Sequence, residues 1–485
     1  MGSLIFDKHF IERFFNLLKF PPKEKKLFIS FLRKFKNRKD FYIVGGAVRA
    51  IFTLEKIYDV DLTLKDDVES LVFFVKEYLK YHFVPLAPEL GIYRLAKGKC
   101  SIDFTAFRGE TIEEDLKERD FTFNAMAIPV EFLFEDHLII IDPFSGYEDL
   151  QKGLIKIIDG KNIIEDPLRI LRGYRFFALR VGDLEEKTRT LFKKYKKRIN
   201  FCAKERILQE LVYILTSSKT YETFKLMDED DVLEEIFPYI KDCKGVPQPS
   251  FHHLDVWGHL LESLKWAEEI LKDPKKYLDL EIFPEKIDED FIISVKLASF
   301  FHDLGKAHTF ELRDRITFYG HEKISAELFK KMAENLKFKK DLINRIYILI
   351  KNHMRPFHLL NEKEKGRLTI RAKRNLIRDV PYLIELFIIS MADSLASQGP
   401  DKEPDYEERL KNFFKELFKF KEELQKESTK EKLITGKDLI ALGLKPGPIF
   451  RKILQEVELL VLEGKIKKKE EVLEFVKNKY INNNL

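Results

Sequence analysis

The spacing of apolar residues divides the chain into two regions of different predicted structure. Apolar positions three or four residues apart predict helices over residues 4–37, with a break at Pro21-Pro22. Between residues 40 and 145, helical periods are interleaved with short apolar runs. There "FYIVGGAVRAIF" predicts a strand, a glycine turn and a helix, and "YDVDLTL" predicts a strand. Further on, "VESLVFFVKEYLKYH" predicts a helix, "GIYRLAKGKCSIDFTAF" a hairpin and "HLIIIDPF" another strand.

From about residue 150 onward nearly every segment has helical period, so the predicted fold class is α+β: a small mixed-sheet domain followed by a mostly helical chain. A chain of 485 residues exceeds what one hydrophobic core normally serves. Glycine- and proline-rich stretches at 242–253 and 396–408 indicate boundaries. We therefore predict four domains, over residues 1–145, 146–248, 249–400 and 401–485.

Composition indicates a globular protein outside the membrane: 45% of residues are hydrophobic, 34% are charged, and no apolar run reaches the length of a span. The N-terminus lacks a signal-peptide pattern, and Cys100, Cys202 and Cys243 are scattered without metal-ligand spacing. We expect a reduced, cytoplasmic setting. The net charge is only +5, but basic runs such as "LFKKYKKRIN" and "EGKIKKKEE" would suit phosphates if they shared one side of the fold.

Three acidic residues and a glycine turn form the first candidate site. Asp59 and Asp61 alternate on one predicted strand, so both side chains point the same way. Asp103 lies on another predicted strand, and Gly45-Gly46 opens a helix whose backbone N–H groups can cradle phosphates. Three carboxylates on one sheet face can hold two Mg²⁺ ions, which stabilise phosphoryl or nucleotidyl transfer.

In this order the motifs resemble the polymerase-β-like nucleotidyltransferases, specifically class II tRNA nucleotidyltransferases and the related bacterial poly(A) polymerases. The resemblance covers roughly residues 40–215 and implies that Asp59, Asp61 and Asp103 are catalytic. It implies nucleotide contacts by Gly45, Gly46 and Arg49 of the first motif. In "EEDLKERDFTFNAMAI", Arg119, Asp120 and Asn124 would contact the ribose and phosphates.

"EDPLRILRGYRFFALRVG" resembles the family motif that reads the incoming base with protein side chains. Asp166 and Arg169 stand three residues apart, which on one helix places them on one face. A carboxylate accepts and a guanidinium donates, so the pair can read the edge of cytosine or adenine. Arg172 and Arg175 continue the same spacing and would meet triphosphate or RNA. Taken alone, the pattern is more typical of a salt-bridged surface helix.

Two departures from the family pattern bear on the reaction. Ala50 follows Arg49, where the family usually has an aspartate that supports the motif. CCA-adding enzymes also carry a flexible loop after the third aspartate, whereas here Arg108-Gly109-Glu110 leads straight into a helix that begins "TIEED". A loop this short resembles the CC-adding branch, whose members leave the terminal adenosine to another enzyme.

Histidines and aspartates in the second half form another candidate site. A His-Asp doublet, His302-Asp303, ends an apolar helix, and two adjacent polar side chains there need a partner such as a metal ion. The order of His259, His302-Asp303, His321, His353 and Asp393 resembles the HD phosphohydrolase superfamily. The resemblance implies one ion on His259, His302, Asp303 and Asp393, with His321 and His353 helping a second. Imidazole with carboxylate suits Mn²⁺, Ni²⁺, Co²⁺, Fe²⁺ or Zn²⁺; the alternative is a degenerate domain kept for packing.

The sequence thus predicts a template-independent RNA nucleotidyltransferase that adds C from CTP to the tRNA 3′ end with Mg²⁺, together with an HD phosphohydrolase site. Alternatives within the class are a full CCA-adding enzyme, which also uses ATP, and a poly(A) polymerase. From another class, the chain would be an HD phosphohydrolase whose N-terminal domain only binds RNA. The tail, around "GLKPGP", resembles a tRNA-gripping segment but equally describes simple helix packing. The sequence leaves the oligomeric state open.

Overall fold

The computed structural model describes residues 2–278, 283, 287–428, 433–462 and 465–482. The chain divides into two compact units, Met1–Pro238 and Tyr239–Leu485. The predicted α+β class is confirmed, with the large sheet confined to the first unit and helices dominating the second. The finer division into four domains at residues 145, 248 and 400 stays a prediction.

The first unit contains ten strands among its described residues: β1 Ser3–Asp7, β2 Phe41–Val44, β3 Asp59–Leu64, β4 His82–Ala87, β5 Ile92–Lys97, β6 Cys100–Ala106, β7 Ala127–Pro129, β8 His137–Ile141, β9 Leu154–Ile155 and β10 Asp183–Leu184. Its helices are α1 Lys8–Leu17, α2 Pro22–Lys34, α3 Gly46–Thr53, α4 Val68–Leu79, α5 Ile112–Lys117, α6 Gly146–Gln151, α7 Gly160–Glu165, α8 Arg169–Ala178, α9 Glu186–Tyr195, α10 Lys204–Thr216, α11 Thr220–Glu229 and α12 Leu233–Ile236.

Eight strands form one mixed sheet in the order β1-β8-β7-β2-β3-β6-β5-β4. Among its central strands, β2 ("FYIV") is almost wholly buried. The pair β3–β6 is parallel, whereas the other neighbours in the sheet run antiparallel. Side chains of α1 to α4 pack with the sheet into the main core of this unit. The core fixes β3 and β6, which carry the three acids, at the middle of the sheet.

The second unit is helical apart from the short hairpin strands β11 Glu311–Leu312 and β12 Ile316–Thr317. Its helices are α13 Val256–Lys272, α14 Pro274–Leu278, α15 Glu289–Phe301, α16 Lys306–Thr309, α17 His321–Asn335, α18 Lys340–Asn352, α19 Arg355–Glu364, α20 Ile370–Asp379, α21 Leu383–Ala396, α22 Tyr406–Ser428, α23 Gly436–Ala441, α24 Pro448–Leu462 and α25 Lys469–Val476. Helices α13, α15, α18 and α21 pack together, whereas α23 to α25 form a separate small core. No helix among the described residues is long and apolar enough to cross a membrane.

Two segments differ from the predicted elements. Residues 4–7 were predicted to be helical, but they belong to β1, which pairs with β8 from Ser3 opposite Ile141 to Asp7 opposite His137. The helix starts only at Lys8, after the Asp7 side chain accepts a hydrogen bond from the His9 N–H. The helix predicted to run on to residue 82 ends at Leu79, since residues 82–87 form the sheet-edge strand β4. In both places tertiary pairing outweighs local periodicity.

Candidate active site and metal centre

Three carboxylates lie together where β3 and β6 run side by side. Asp61 is the register partner of Asp103, and Asp59 lies two residues before Asp61 on the same strand face. The Asp59 carboxylate accepts a hydrogen bond from Ser101 Oγ at 2.7 Å. Burial and the neighbouring Asp103 charge raise the pKa of Asp61 to about 6, against the lowering effect of Arg119. Acids this close repel one another, so the arrangement favours a bound cation.

The glycine turn before α3 lies directly against Asp61. Gly45 has φ of +69°, in the left-handed region that suits glycine. A Cβ at this position would lie 2.8 Å from Asp61 Oδ2 and 3.4 Å from Arg119 Nη1. Gly46 then begins α3, so the helix N-terminus and its free N–H groups follow at once. The turn therefore needs glycine both for its backbone angle and for the space beside the carboxylate.

Arg94 on β5 holds the third carboxylate, and the sequence reasoning missed it. Its Nε and Nη2 atoms donate to the two oxygens of Asp103, each at 2.7 Å. Such a bidentate pair fixes the plane of the carboxylate as well as its position. The sequence does contain a sign of this pair, because a hairpin with a two-residue turn at Gly98-Lys99 places Arg94 opposite Asp103. We infer that Arg94 is a positioning residue for Asp103.

A second group of polar side chains surrounds Asp120. One oxygen of Asp120 accepts from Asn124 Nδ2 at 2.9 Å and the other from Arg172 Nε at 2.8 Å. Burial alone would raise the pKa of this carboxyl, but Arg172 and the hydrogen bonds outweigh burial and hold it well below its usual range. Arg49 Nη1 donates to Asn124 Oδ1 at 2.5 Å and joins the first motif to this group. Asp120 is therefore an ionised anchor for the arginines around it.

The predicted placement of Asp166 and Arg169 on one helix face is wrong. Asp166 has extended backbone angles after the end of α7, while Arg169 is the first residue of α8. The cause is Pro167, which disfavours helical angles in the residue before it. Arg172 and Arg175 do lie on α8 with Arg169. The motif therefore brings Asp166 and Arg169 together at a helix junction.

Each member of that pair is held by a neighbour. Arg206 on α10 donates to Asp166 Oδ2 at 2.9 Å. Arg169 is buried, and it donates to the backbone oxygens of Glu118 and Arg119 at 2.6 and 3.2 Å. With their guanidinium and carboxylate planes fixed by these contacts, the two side chains have little freedom to reorient.

A cavity of about 260 Å³ opens between the carboxylates and the helix junction. Nine arginine and aspartate side chains line it: Asp61, Asp103, Arg108, Asp115, Arg119, Asp120, Asp166, Arg169 and Arg172. Other predicted residues stand outside this lining. They are Asp59, Gly45, Gly46, Arg49, Asn124 and Arg175, the last of which pairs with Glu210 on α10 at 3.3 Å. Alternating charges over such a cavity suit a nucleoside triphosphate.

The segment after β6 is short and tied down. The Arg108 N–H donates to Asp115 Oδ1 at 3.2 Å, and the Glu110 N–H donates to Glu114 Oε2 at 2.6 Å. Gly109 has φ of +122°, and a Cβ there would lie 2.6 Å from the same Glu114 oxygen. The Thr111 side chain caps α5 immediately afterwards. This side of the cavity is therefore a fixed turn closed by hydrogen bonds.

In the second unit, six predicted ligands lie in two groups that share Asp303. The first group comprises His259, His302, Asp303 and Asp393, and the second comprises Asp303, His321 and His353. In the first, His259 Nε2 lies 3.1 Å from Asp393 Oδ1 and 3.5 Å from Asp303 Oδ2. In the second, Asp303 Oδ1 lies 3.0 Å from His321 Nε2 and 3.5 Å from His353 Nε2. The doublet at the end of α15 thus stands between both groups.

The donor set fits metal ions on three observations. Nδ1 of His302, His321 and His353 each lies 2.7 or 2.8 Å from a backbone carbonyl oxygen, which favours the tautomer with a free Nε2 facing the cluster. Burial lowers the pKa of His259 and His353, so both rings are neutral, the form that ligates metals. Asp303 Oδ1 is buried without a hydrogen-bond donor among the described residues.

Positive charge also reaches the cluster from the protein itself. Burial opposes the charged form of His302, but Asp303 and Asp393 outweigh it and raise the His302 pKa to about 10. Lys306, one turn after the doublet, donates to Asp303 Oδ2 at 2.6 Å and to Gln248 at 2.8 Å. Two buried carboxylates need such compensation. A proton on His302 and a bound cation would therefore compensate the same negative charge of Asp303 and Asp393, and either can replace the other.

Four family models match successive segments of the chain. The Poly A polymerase head domain matches residues 41–156, and the "Probable RNA and SrmB-binding site of polymerase A" matches 183–244. The HD domain matches residues 256–398, and tRNA nucleotidyltransferase domain 2 matches 404–476. Both candidate sites fall within matched segments, the carboxylates in the first and the His-Asp cluster in the third.

Relatives match over nearly the whole chain. The CC-adding tRNA nucleotidyltransferase of Thermus thermophilus is 28% identical over 91% of this chain and 94% of its own length. The A-adding tRNA nucleotidyltransferase of Deinococcus radiodurans is 27% identical over 90% and 94%. The solved structure of the Thermotoga maritima CCA-adding enzyme complexed with tRNA, 23% identical, covers 98% of both chains with a TM-score of 0.65, which shows a shared fold. Domain order, full-length relatives and fold agree, and we conclude that the chain belongs to the class II tRNA nucleotidyltransferases of CCA-adding type that carry an HD domain.

Proposed function

We propose that the chain adds two cytidines from CTP to the 3′ end of tRNA and leaves the terminal adenosine to another enzyme. The observation that carries this choice is the fixed turn after β6. A pocket that must accept first C and then A needs a wall that moves. Here the backbone N–H groups of Arg108 and Glu110 donate hydrogen bonds to the carboxylates of Asp115 and Glu114 and close the turn. The names of the relatives do not decide the point, since both CC-adding and A-adding enzymes match. Full CCA addition and poly(A) synthesis are the alternatives.

In this proposal the three carboxylates bind and orient the reacting groups. Asp59, Asp61 and Asp103 would hold Mg²⁺, which neutralises the charge that develops on the phosphates. Arg94 holds both oxygens of Asp103 by hydrogen bonds and so fixes the plane of this carboxylate. The Gly45 turn leaves room for Asp61 and directs backbone N–H groups from the start of α3 towards the triphosphate.

The arginines and the helix junction would bind the nucleotide. Arg119 and Arg172 line the cavity and offer planar forks to phosphate oxygens, while Asp120 holds Arg172 in place. Asp166 and Arg169 would read the cytosine edge, one by accepting and the other by donating hydrogen bonds. Because Arg206 and two backbone carbonyls already hold this pair, its geometry favours one base.

The test is stepwise addition to a tRNA that ends at its discriminator base. With labelled CTP alone, we expect a product two nucleotides longer, and subsequent ATP should add nothing. Addition of a terminal A would overturn the CC-only proposal, and a long A tract would favour the poly(A) alternative. Asp59→Ala should abolish addition, whereas Asp66→Ala, an exposed carboxylate beyond the end of the same strand, should leave it unchanged.

The His-Asp cluster supports a second activity, hydrolysis of a phosphoester. The supporting observation is the buried Asp303 oxygen that faces two imidazole nitrogens and has no hydrogen-bond donor among the described residues. We propose one ion on His259, His302, Asp303 and Asp393, and a second on Asp303, His321 and His353. A bound Mn²⁺, Ni²⁺, Co²⁺, Fe²⁺ or Zn²⁺ would supply a Lewis acid and an activated water.

This second proposal is tested by metal content and by hydrolysis of 2′,3′-cyclic nucleotides. The chelated and reloaded protein should retain two transition-metal ions per chain, and His321→Ala should retain one. Asp393→Asn should lose hydrolysis while C addition continues. If the full chain retains no transition metal after dialysis against each of these ions, the cluster is a packing feature and the second proposal is wrong.

A further inference from the structure

A large aromatic side chain stands almost fully exposed in the first unit. Phe201 ends the 3-10 turn Lys196–Phe201, and its relative exposure is 84%, the highest among the exposed large hydrophobic side chains of the described residues. Burying a phenylalanine stabilises a fold, and this side chain forgoes that contribution. A single exposed apolar residue is common, so its surroundings decide whether it has a role.

Phe201 lies beside the junction that holds Asp166. The next residue, Cys202, is buried, and its thiol lies within hydrogen-bond reach of the Leu168 backbone. Four residues further on, Arg206 forms the ion pair with Asp166 at 2.9 Å. Asp166 lines the cavity. These contacts tie the segment that begins at Phe201 to Asp166, a residue of the cavity lining.

Cations without partners flank the aromatic ring along the chain. Lys197 and Arg198 precede it and are exposed, and Lys204 follows it at the start of α10. No side chain of the three has a hydrogen bond or an ion pair within the described ranges. By contrast, Lys196 on the same turn is paired with Asp231 and Glu234. These unpaired cations therefore precede and follow Phe201 along the chain and are available to an anionic partner.

We propose that Phe201 stacks on a base of the single-stranded 3′ end of the RNA acceptor, while Lys197, Arg198 and Lys204 contact the adjoining phosphates. Proteins that hold single strands combine these two features, an aromatic face for a base and cations for the backbone. The proposal rests on the proposed function, since the strand concerned is the one whose terminal hydroxyl reaches the carboxylates. Phe201 is then a positioning residue that acts on the RNA and leaves CTP binding untouched.

The direct test is the replacement of Phe201 in the full chain. Phe201→Ala should raise the KM for tRNA about tenfold, while the Kd for CTP stays within twofold of the wild type. Phe201→Leu, which keeps an apolar side chain without an aromatic face, should resemble Phe201→Ala, and Phe201→Trp should restore the KM. Ile5→Ala is the matched control, because Ile5 is also exposed, at 71%, but lies on the edge strand β1.

Fluorescence supplies a readout that does not depend on the reaction. The chain has two native tryptophans, so the signal is the difference between Phe201→Trp and wild type. Adding tRNA without its CCA end, or a short single-stranded RNA, should quench the new tryptophan. Replacing Lys197, Arg198 and Lys204 together by alanine should lower the slope of log Kd against log salt by about 2.

The outcomes separate the two proposals. If wild type adds cytidine to tRNA but Phe201→Ala leaves the KM for tRNA unchanged, the stacking proposal is wrong and the proposed function stands. If Phe201→Leu behaves as wild type, the contact is apolar rather than stacked, as a protein partner would make, and the proposal is again wrong. If wild type adds nothing to tRNA, the proposed function fails, and quenching by short RNA alone decides for or against stacking.

Discussion

Replacing Gly45 by alanine tests whether the glycine turn exists to make room for Asp61. The substitution has two separable effects. The first is backbone strain, because φ of +69° is unfavourable for any residue with a Cβ, at about 1–2 kcal/mol. The second is a close contact, because the new Cβ would lie 2.8 Å from Asp61 Oδ2. Atoms at that distance must move apart, and the carboxylate is the more mobile of the two.

The chain provides a matched control for the strain. Gly98, in the turn between β5 and β6, has φ of +62°, and a Cβ there would meet nothing within 4 Å. Gly98→Ala therefore also places a Cβ at a positive φ, but without the contact. Both variants should lower the free energy of unfolding by about 1–2 kcal/mol. Only Gly45→Ala should also displace a reacting group.

The displacement sets the expected loss of activity. A shift approaching 1 Å in a positioned group costs roughly a hundredfold in rate, so we expect kcat for C addition to fall about ten- to a hundredfold in Gly45→Ala. The assay is single-turnover addition of labelled CTP to tRNA at saturating substrates, beside thermal unfolding of both variants. If Gly45→Ala adds C at the wild-type rate, or if Gly98→Ala loses as much as Gly45→Ala, the account of this turn is refuted.

Two further predictions concern charged pairs in the same unit. Arg94→Ala should lower kcat about tenfold, because Arg94 orients Asp103, and it should change stability little, because the pair is partly exposed. Arg94→Lys should recover less than half of the lost activity, since lysine cannot make the bidentate contact. The Arg172 charge holds the pKa of Asp120 low in the folded state. The ionised Asp120 carboxylate therefore contributes its full stabilisation above about pH 4, and this stabilisation is lost as pH falls through the folded-state pKa. Unfolding curves of wild type and Asp120→Asn should therefore converge on acidification, and a constant gap from pH 6 to 2 would contradict the role of the ionised carboxylate.

Short-range geometry explains why part of the first site could be predicted from sequence. Side chains alternate along a strand, so the spacing of Asp59 and Asp61 places both on one face whatever surrounds them. The partner of Asp103 follows from counting back across a two-residue turn, and that step would have found Arg94. The helix junction was harder to predict from sequence, because the spacing of Asp166 and Arg169 is that of a shared helix face. Pro167 instead disfavours helical angles at Asp166, the residue before it.

Long-range packing explains what could not be worked out from spacing. His259 and Asp393 lie on α13 and α21, far apart in the chain, and they meet only because those helices pack. Only resemblance to a family suggested that grouping. Similarly, nothing local marks residues 3–7 as a strand, since β1 exists through pairing with β8. Features that depend on one element or on one hairpin can be read from the sequence, whereas features that depend on two elements far apart in the chain need the fold.

The neighbouring carboxylates of the two sites have different surroundings, and this difference bears on which metal ion each site can bind. Asp59 is exposed and Asp61 and Asp103 are half-buried beside arginine forks, which suits a hard ion that arrives with the triphosphate and leaves with the product. His302 and His353 are fully buried, and their rings are oriented by backbone carbonyls. Imidazole nitrogens fixed in this way favour a softer ion that stays bound through turnover. In the proposed function, one chain would therefore combine a site that exchanges its ion with a site that retains it.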